Sequence, residues 1–454
     1  MQGVTGACTC SVCPTQPSRA TVPPDTQQEV LSGLLNGELA PDGFGTLTRR
    51  GEYIDKKYRP GRRDAGLDGV ILALATESIT LVPPKLYENG MLLMQRLYQH
   101  SKLTKQKLEK ARVAPAEDSV PLTFYDALAF QIMKGPQRAA NIAISLTRSL
   151  IRDAKAASRF SCLLWKKSKK DKAFLGIFNL LARLGSKQES LALQEDSIRI
   201  LACLGNDQER ILRMAAVKPV LKAFCKVIDD GAGTDKSIDT ALWLTWRMTR
   251  DNKFCERLTQ NSEMMNSLVR WACTVLDEEA LPGLREENAL AILANVSVQE
   301  GVCQMILERY PRLLESAAVL IELGSPRGVE VAALLIGNLA FNDEALDTLA
   351  AVLDRSKAVP RLLSVMIQNV QGGDRARELG ALALANLSRM EIVVNQLLAE
   401  EGAMEVILSV RESGATGRAR EAAERVIANC SIFRLQSMGV TKPMGQSKVH
   451  SYSM

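Results

Sequence analysis

The sequence predicts an all-α solenoid built from repeated three-helix units. Ala, Leu, Val and Ile dominate its apolar residues and aromatic residues make up only 5% of the chain, a balance that suits helices packed on helices better than sheets. A nearly identical short motif, an Ala/Leu-rich helix end that carries an asparagine side chain, recurs along the 454 residues. Because a chain of this length is too long for one compact core, the recurrence favours stacked repeats.

The recurring motif defines one position in each repeat, the position of the asparagine, which we call the slot. It reads AILANVS, LLIGNLA, ALALANLS and RVIANCS, and two upstream helical stretches, IRILACLG and LWLTWRMT, carry a Cys and a Trp in the same place. Successive slots are 43 to 49 residues apart, the period of a helical solenoid in which the longer intervals hold a few extra loop residues. The slot residues are Cys203, Trp246, Asn295, Asn338, Asn386 and Asn429.

A second landmark has the same period. Pro219, Pro311 and Pro360 each lie 26 or 27 residues before a slot, and Gly402 takes the corresponding place in the last repeat. Proline is tolerated at the first position of a helix because that N–H has no intrahelical partner. Each unit is therefore predicted to be a short helix, a turn, a second helix, a polar loop and a longer third helix that ends near the slot.

This pattern resembles the armadillo repeat family, the group that includes β-catenin and importin-α. The segments 401–431, 357–366 and 378–388 carry the resemblance, which is specific over 205–431 and weaker over 120–204. It implies a right-handed superhelical solenoid of three-helix armadillo-type repeats. No unit can bury its apolar faces alone, so stacked neighbours share one continuous core.

The predicted domain organisation has four parts. Residues 1–65, with little periodicity, are expected to be mostly disordered and to contain a basic stretch. Residues 66–204 form a helical part with degenerate repeats, 205–431 the regular repeats, and 432–454 a disordered tail.

The resemblance also implies a binding site, a concave groove lined by third helices. In that family the recurrent Asn bonds the backbone of an extended peptide, which an amide suits because it both donates and accepts. The alternative is that each Asn satisfies carbonyls at its own or the adjacent helix end. The groove residues predicted here are Asn295, Asn338, Asn386, Asn429, Trp246, Arg247, Arg389 and Arg425.

The expected function is a non-catalytic scaffold or adaptor that binds an extended segment of a partner protein. The alternative is a nuclear transport adaptor of the importin-α type, whose groove adds a Trp one turn before the Asn. Those positions hold Ala291, Leu334, Leu382 and Arg425 instead, which disfavours the adaptor. Three of the predicted groove residues are arginines, so an acidic ligand is compatible with the groove but is not required by it.

Catalysis has little support in the sequence. The chain has two histidines, neither of which lies in a recognisable nucleophile setting, and scattered carboxylates alone do not indicate acid–base chemistry. Cys8, Cys10 and Cys13 lack a fourth ligand for structural zinc. We expect no enzyme activity, no cofactor and no metal.

The amino-terminal half is basic. Residues 1–175 carry an excess of 10 positive charges, whereas the rest carries an excess of 4 negative ones. The densest patch is expected to be either a targeting signal, a surface for acidic lipid or nucleic acid, or a solvated linker. It comprises Arg49, Arg50, Lys56, Lys57, Arg59, Arg62 and Arg63.

The expected location is cytoplasmic, with the nucleus left open. Apolar runs of about 18 residues and an apolar signal core are absent, so we expect neither a membrane span nor secretion. Cys8, Cys10 and Cys13 are interpreted as part of an unmodified terminus, with palmitoylation as the alternative that would tether the chain to a membrane.

Overall fold

The computed structural model describes most of the chain beyond residue 83. The described residues are 84–100, 112–113, 122–153, 156–157, 159–160, 191–205, 208–229, 233–277, 281–367, 373–414 and 416–438. The chain divides into two compact units between residues 180 and 181. The predicted boundary at 204/205 and the other predicted domain limits stay predictions.

The first unit contains three described helices and a short ladder. Helices α1 (Pro84–His100) and α2 (Phe124–Lys134) both pack against α3 (Gln137–Leu150). Strands β1 (Arg112–Val113) and β2 (Leu122–Thr123) pair antiparallel, a feature that the sequence did not predict. Thr123 and Asp126 form a reciprocal capping box at the start of α2, and the rings of Tyr98 and Phe124 stack with centroids 6.0 Å apart.

The second unit is an all-α solenoid. In each repeat a short first helix is followed by a second helix and then by a third helix, and a helical turn of 3₁₀ type lies at Asp343–Ala345. The described helices are α4 (Leu191–Leu204), α5 (Gln208–Ala215), α6 (Lys218–Ile228), α7 (Asp235–Met248), α8 (Asn252–Thr259), α9 (Ser262–Asp277), α10 (Leu284–Val296), α11 (Val302–Arg309), α12 (Arg312–Leu323), α13 (Pro326–Leu339), α14 (Leu346–Ser356), α15 (Ala358–Met366), α16 (Gly373–Leu387), α17 (Glu391–Ala399), α18 (Ala403–Ser413) and α19 (Gly417–Ser437).

Helices of the same kind pack on each other from one repeat to the next. The third helices α4, α7, α10, α13, α16 and α19 form one continuous row, and the second helices α6, α9, α12, α15 and α18 form another. Third helices in the middle of the row are enclosed on both sides, and every residue from Val331 to Leu339 in α13 is buried. The predicted three-helix repeat is therefore confirmed.

The second helices begin at the predicted proline and glycine landmarks, within the usual uncertainty of helix ends. Pro219 is the second residue of α6, Pro311 is the N-cap of α12, and Pro360 is the third residue of α15. Gly402 caps α18 with a φ of +77°, a conformation that favours glycine. At the same junction α15 has Lys357, with a φ of +51°.

Ion pairs link neighbouring second helices along the surface. An acidic residue at the carboxyl end of one helix pairs with an arginine of the next repeat, at N–O distances of 2.7–3.1 Å. Both partners are partly exposed, so solvent screens each pair and its contribution to the stability of the fold is small. The pairs are Asp229–Arg270, Asp277–Arg312 and Glu322–Arg361.

Candidate partner-binding face of the third helices

The structure places all six slot residues on third helices. Cys203, Asn295, Asn338 and Asn386 each lie one residue before the last residue of their helix, and Trp246 lies two residues before the end of α7. Asn429 is the exception, because α19 continues for eight residues beyond it. Since the third helices pack side by side, the slots follow one another along a single row.

Each slot amide donates a hydrogen bond to the end of the preceding third helix. Asn338 Nδ2 lies 2.9 Å from the carbonyl oxygen of Ala294, and Asn386 Nδ2 lies 2.9 Å from that of Gly337. Carbonyls in the last turn of a helix lack a backbone partner within the helix. The amide of Asn386 satisfies such an acceptor at Gly337, whereas the carbonyl oxygen of Ala294 also accepts from Ser297 Oγ at 2.7 Å.

The first and last slot amides bond a hydroxyl instead of a carbonyl. Asn295 Nδ2 donates to Thr249 Oγ1 at 2.8 Å, and Asn429 Nδ2 donates to Ser388 Oγ at 2.9 Å. Both hydroxyls lie just after the end of the preceding third helix. The same direction of bonding, from the later repeat to the earlier one, therefore holds at all four asparagines.

Burial divides the four asparagines into two classes. Asn295, Asn338 and Asn386 are 2–6% exposed, whereas Asn429 is half-buried. Asn386 is used on both sides, since its Oδ1 accepts a hydrogen bond from Arg425 at 3.1 Å. For the three buried amides this geometry favours the alternative in which the Asn joins adjacent helix ends, and their contact with a partner stays a prediction.

Two of the predicted arginines, Arg247 and Arg389, also donate hydrogen bonds to the preceding repeat. Arg247 donates to the carbonyl oxygen of Gly205 at 2.8 Å, and Arg389 donates to that of Phe341 at 3.2 Å and pairs with Asp343. The Arg389 side chain is only 10% exposed. Each guanidinium thus binds the chain just after the preceding third helix, where the negative end of the helix dipole favours a cation.

Two tryptophans and their arginines form an aromatic surface on the third helices. Trp243 and Trp246 are both half-buried on α7, and the Arg247 guanidinium lies 4.9 Å from the ring centroid of Trp243. Arg327 reaches back across two repeats and lies 4.4 Å from the centroid of Trp246. Stacking of a guanidinium on an indole is a favourable cation–π arrangement.

Arg327 belongs to a polar cluster that the sequence did not reveal. It donates to Asn288 Oδ1 at 2.7 Å, and burial lowers the pKa of its guanidinium despite the nearby carboxylates of Glu287 and Glu330. Glu287 is 1% exposed, and its Oε2 has no hydrogen-bond partner in the described part of the chain. Its carboxylate lies against Gly328, where an added Cβ would come within 3.0 Å of Oε1. These contacts join residues up to 81 positions apart, so sequence spacing gives no signal for them.

A second arginine, Arg285, joins α10 to the start of α7. Its guanidinium donates to Asp239 at 2.7 Å and to Asp235 at 3.1 Å, and it lies 4.8 Å from the ring centroid of Trp271. Burial lowers the pKa of Arg285, but the hydrogen bonds and charges of Asp239 and Asp235 outweigh that effect and raise it. The clamp fixes the amino-terminal ends of two third helices.

Several predicted features lie outside the described residues. They include the basic patch from Arg49 to Arg63 and the three amino-terminal cysteines, Cys8, Cys10 and Cys13. Among the described residues, no helix is long and apolar enough to cross a membrane and no group of His, Cys, Asp and Glu side chains has the arrangement of a metal site.

Comparison with known proteins reveals similarity only at the level of structure. No protein-family model and no curated protein sequence matches the chain. A designed armadillo repeat protein superposes with a TM-score of 0.46 at 17% identity, covering 56% of this chain and 99% of that one. A chain from a structure titled "A conserved phosphorylation switch controls the interaction between cadherin and beta-catenin in vitro and in vivo" gives a TM-score of 0.60 at 13% identity, covering 90% of this chain and 69% of that one.

The fold is armadillo-like. An engineered protein also matches it, with a TM-score of 0.50 at 15% identity over 89% of this chain and 99% of that one. At these identities the similarity shows the armadillo-like fold alone. The chemistry of a binding face must therefore be argued from the side chains of this chain.

Proposed function

We propose that the protein is a non-catalytic interaction scaffold that binds an extended segment of a partner protein along its row of third helices. The observation that carries the proposal is the continuity of that row from α4 to α19, because it places equivalent positions of successive repeats side by side. Repeat arrays use such extended surfaces for binding.

The predicted groove residues have two different tasks in this proposal. Asn295, Asn338, Asn386 and Arg389 are largely buried and hold adjacent repeats in register. The other four predicted residues are half-buried, so part of each side chain is available to a partner. They are Trp246, Arg247, Arg425 and Asn429.

Trp246 is the proposed centre of the contact. Tryptophan and arginine are the residues that most often dominate binding energy at protein interfaces, and here Trp243, Trp246 and Arg247 lie together on one helix. Arg425 and Asn429 extend the face to the last repeat. The adaptor alternative gains no support, because the buried positions one turn before the slots are Ala291, Leu334 and Leu382.

The proposal is tested by capture of binding proteins on the full chain, with quantitative mass spectrometry. Trp246→Ala should reduce the captured partner strongly, by about 30-fold if Trp246 is a hot spot worth about 2 kcal/mol. The matched control is Trp271→Ala, which removes the same indole from a second helix. Both variants are compared at equal folded fraction, measured by circular dichroism.

Loss of the partner with Trp246→Ala and its retention with Trp271→Ala supports binding along the third helices. Equal retention of the same proteins by both variants contradicts the proposed face. Equal loss at equal folded fraction also contradicts it, because the effect then does not depend on which row of helices carries the indole.

A further inference from the structure

The ring of Trp246 is covered by a side chain of the protein itself. The guanidinium of Arg327, near the start of α13, lies 4.4 Å from the ring centroid of Trp246, near the end of α7. Both side chains are half-buried. Because Trp246 is also the centre of the contact proposed above, a partner that packs on this face of the indole meets the guanidinium first.

Arg327 lacks the ion pair that its counterpart in the preceding repeat has. Arg285 is the second residue of α10, as Arg327 is of α13, and it lies 4.8 Å from the ring centroid of Trp271. Arg285 pairs at the same time with Asp239 of the preceding third helix, at 2.7 Å. Among the described residues, no carboxylate forms an ion pair with Arg327, which donates to Asn288 Oδ1 instead. The stacked position of Arg327 is therefore less firmly fixed than that of Arg285.

The preceding third helix offers Arg327 an acidic partner that it does not use. Glu287 on α10 is 1% exposed, and its Oε2 finds no hydrogen-bond partner within the described ranges. Its carboxylate lies against Gly328, the residue that follows Arg327, since an added Cβ there would come within 3.0 Å of Oε1. A buried carboxylate oxygen without a partner is costly, and a guanidinium is well suited to satisfy it.

The indole and the carboxylate are both close to the guanidinium. In its stacked position the guanidinium donates at 2.7 Å to Asn288, the residue that follows Glu287 on α10. Burial lowers the pKa of Arg327, and the charge of Glu287 opposes that effect. The arginine side chain has several rotatable bonds and five N–H donors, so a change of rotamer exchanges one neighbour for the other.

We infer that Arg327 is a built-in competitor for the indole of Trp246: it covers the ring in the free protein and pairs with Glu287 when a partner takes its place. This inference rests on the proposed function, because it describes the regulation of the same face. The displaced guanidinium loses its stacking but gains a charge-assisted hydrogen bond to Glu287, which offsets part of the cost of displacement. A partner side chain must therefore bind the indole more favourably than a guanidinium does, which disfavours weakly binding segments.

The two positions are separated without any partner by denaturant melts of the full chain. In the wild type, Glu287→Gln should leave the denaturation midpoint unchanged or raise it, because it removes an unpaired buried charge. In the Trp246→Ala background the guanidinium has lost its ring and pairs with Glu287. There the same substitution should raise the unfolding equilibrium constant by about tenfold, as expected from losing a charge-assisted hydrogen bond. An equal effect of Glu287→Gln in both backgrounds overturns the inference, because the guanidinium would then not exchange partners.

The competition is tested by capture on the full chain, read on the proteins whose capture Trp246→Ala reduces. Arg327→Ala uncovers the ring and should lower the chain concentration needed for half-maximal capture by about two- to thirtyfold, the factor that a cation–π contact corresponds to. The matched control is Arg285→Ala, which removes the same kind of stacking from Trp271. It should leave capture unchanged at equal folded fraction.

Weaker capture by Arg327→Ala overturns the inference, because the guanidinium would then belong to the contact surface instead of covering it. Unchanged capture overturns it as well. If Trp246→Ala reduces the capture of no protein, the proposed face fails, and the melts still decide whether the guanidinium has two positions.

Discussion

The side-chain amide of Asn386 donates a hydrogen bond to the backbone carbonyl of Gly337, 2.9 Å away in the preceding third helix. Its oxygen accepts from Arg425 in the following third helix at 3.1 Å. One side chain therefore links three consecutive repeats. Because Asn386 is 6% exposed, water cannot readily replace either bond.

Asn386→Ala should lower the free energy of unfolding of the repeat unit by about 1–3 kcal/mol, since the substitution leaves buried polar groups unpaired. The higher helix propensity of alanine recovers only about 0.5 kcal/mol. Denaturant melts provide the measurement. The matched control is Asn395→Ala on α17, an exposed asparagine without a hydrogen-bond partner among the described residues, which should be neutral or slightly stabilising. Equal stability of the two variants would show that the amide is not part of the scaffold.

The thiol of Cys303 should make stability fall at high pH. Burial raises its pKa to about 12, from the ordinary thiol value of 9.0. Between these two values the native state keeps a proton that the unfolded chain releases, so the free energy of unfolding falls as pH rises. For one thiol the slope is about 1.4 kcal/mol per pH unit, and below about pH 9 its full contribution is present.

Cys303→Ala should therefore make the fall in stability between pH 9 and 12 shallower by that amount, as measured by denaturant melts at several pH values. Val302→Ala serves as the control. Val302 is buried beside Cys303, so its truncation should lower stability at every pH without changing the slope. An unchanged slope in Cys303→Ala would contradict a thiol that stays protonated.

Lys357→Gly should stabilise the fold by about 0.5–1 kcal/mol. Lys357 has a φ of +51°, in the left-handed region that a side chain disfavours, and it occupies the junction between short and second helix where the last repeat uses Gly402. The greater entropy of glycine in the unfolded chain opposes the gain. Thermal or denaturant melts measure the change, with Lys253→Gly inside α8 as a control that should destabilise by about 1 kcal/mol.

Arg285→Lys should destabilise the fold by about 1 kcal/mol although it keeps the charge. A lysine cannot reproduce the fork that reaches Asp239 and Asp235 while its plane stacks on Trp271. Arg309→Lys, an exposed arginine on α11, should have no effect in the same melts. A neutral result for Arg285→Lys would mean that charge alone supports this clamp.

The three-helix repeat could be predicted from the sequence, but the hydrogen-bond acceptors of its asparagine side chains could not. The period and the prolines reflect local chemistry at helix starts and ends, so they predicted the three-helix unit and placed the asparagines on third helices. The acceptor of Asn386 is a backbone carbonyl 49 residues away, and every residue type offers the same carbonyl. The stacking of Arg327 on Trp246 was hidden for the same reason, since five intervening helices, α8 to α12, separate the partners in sequence.

The direction of the slot bonds bears on how the chain is synthesised. Each donor belongs to the later repeat and each acceptor to the earlier one, as in Asn338 to Ala294 and Asn386 to Gly337. On the ribosome the amino-terminal repeats emerge first, so a newly formed third helix exposes its last carbonyls to water until the next repeat supplies the amide. A nascent chain paused between repeats therefore presents solvated acceptors rather than stranded donors, and each new repeat docks on a surface that is already formed.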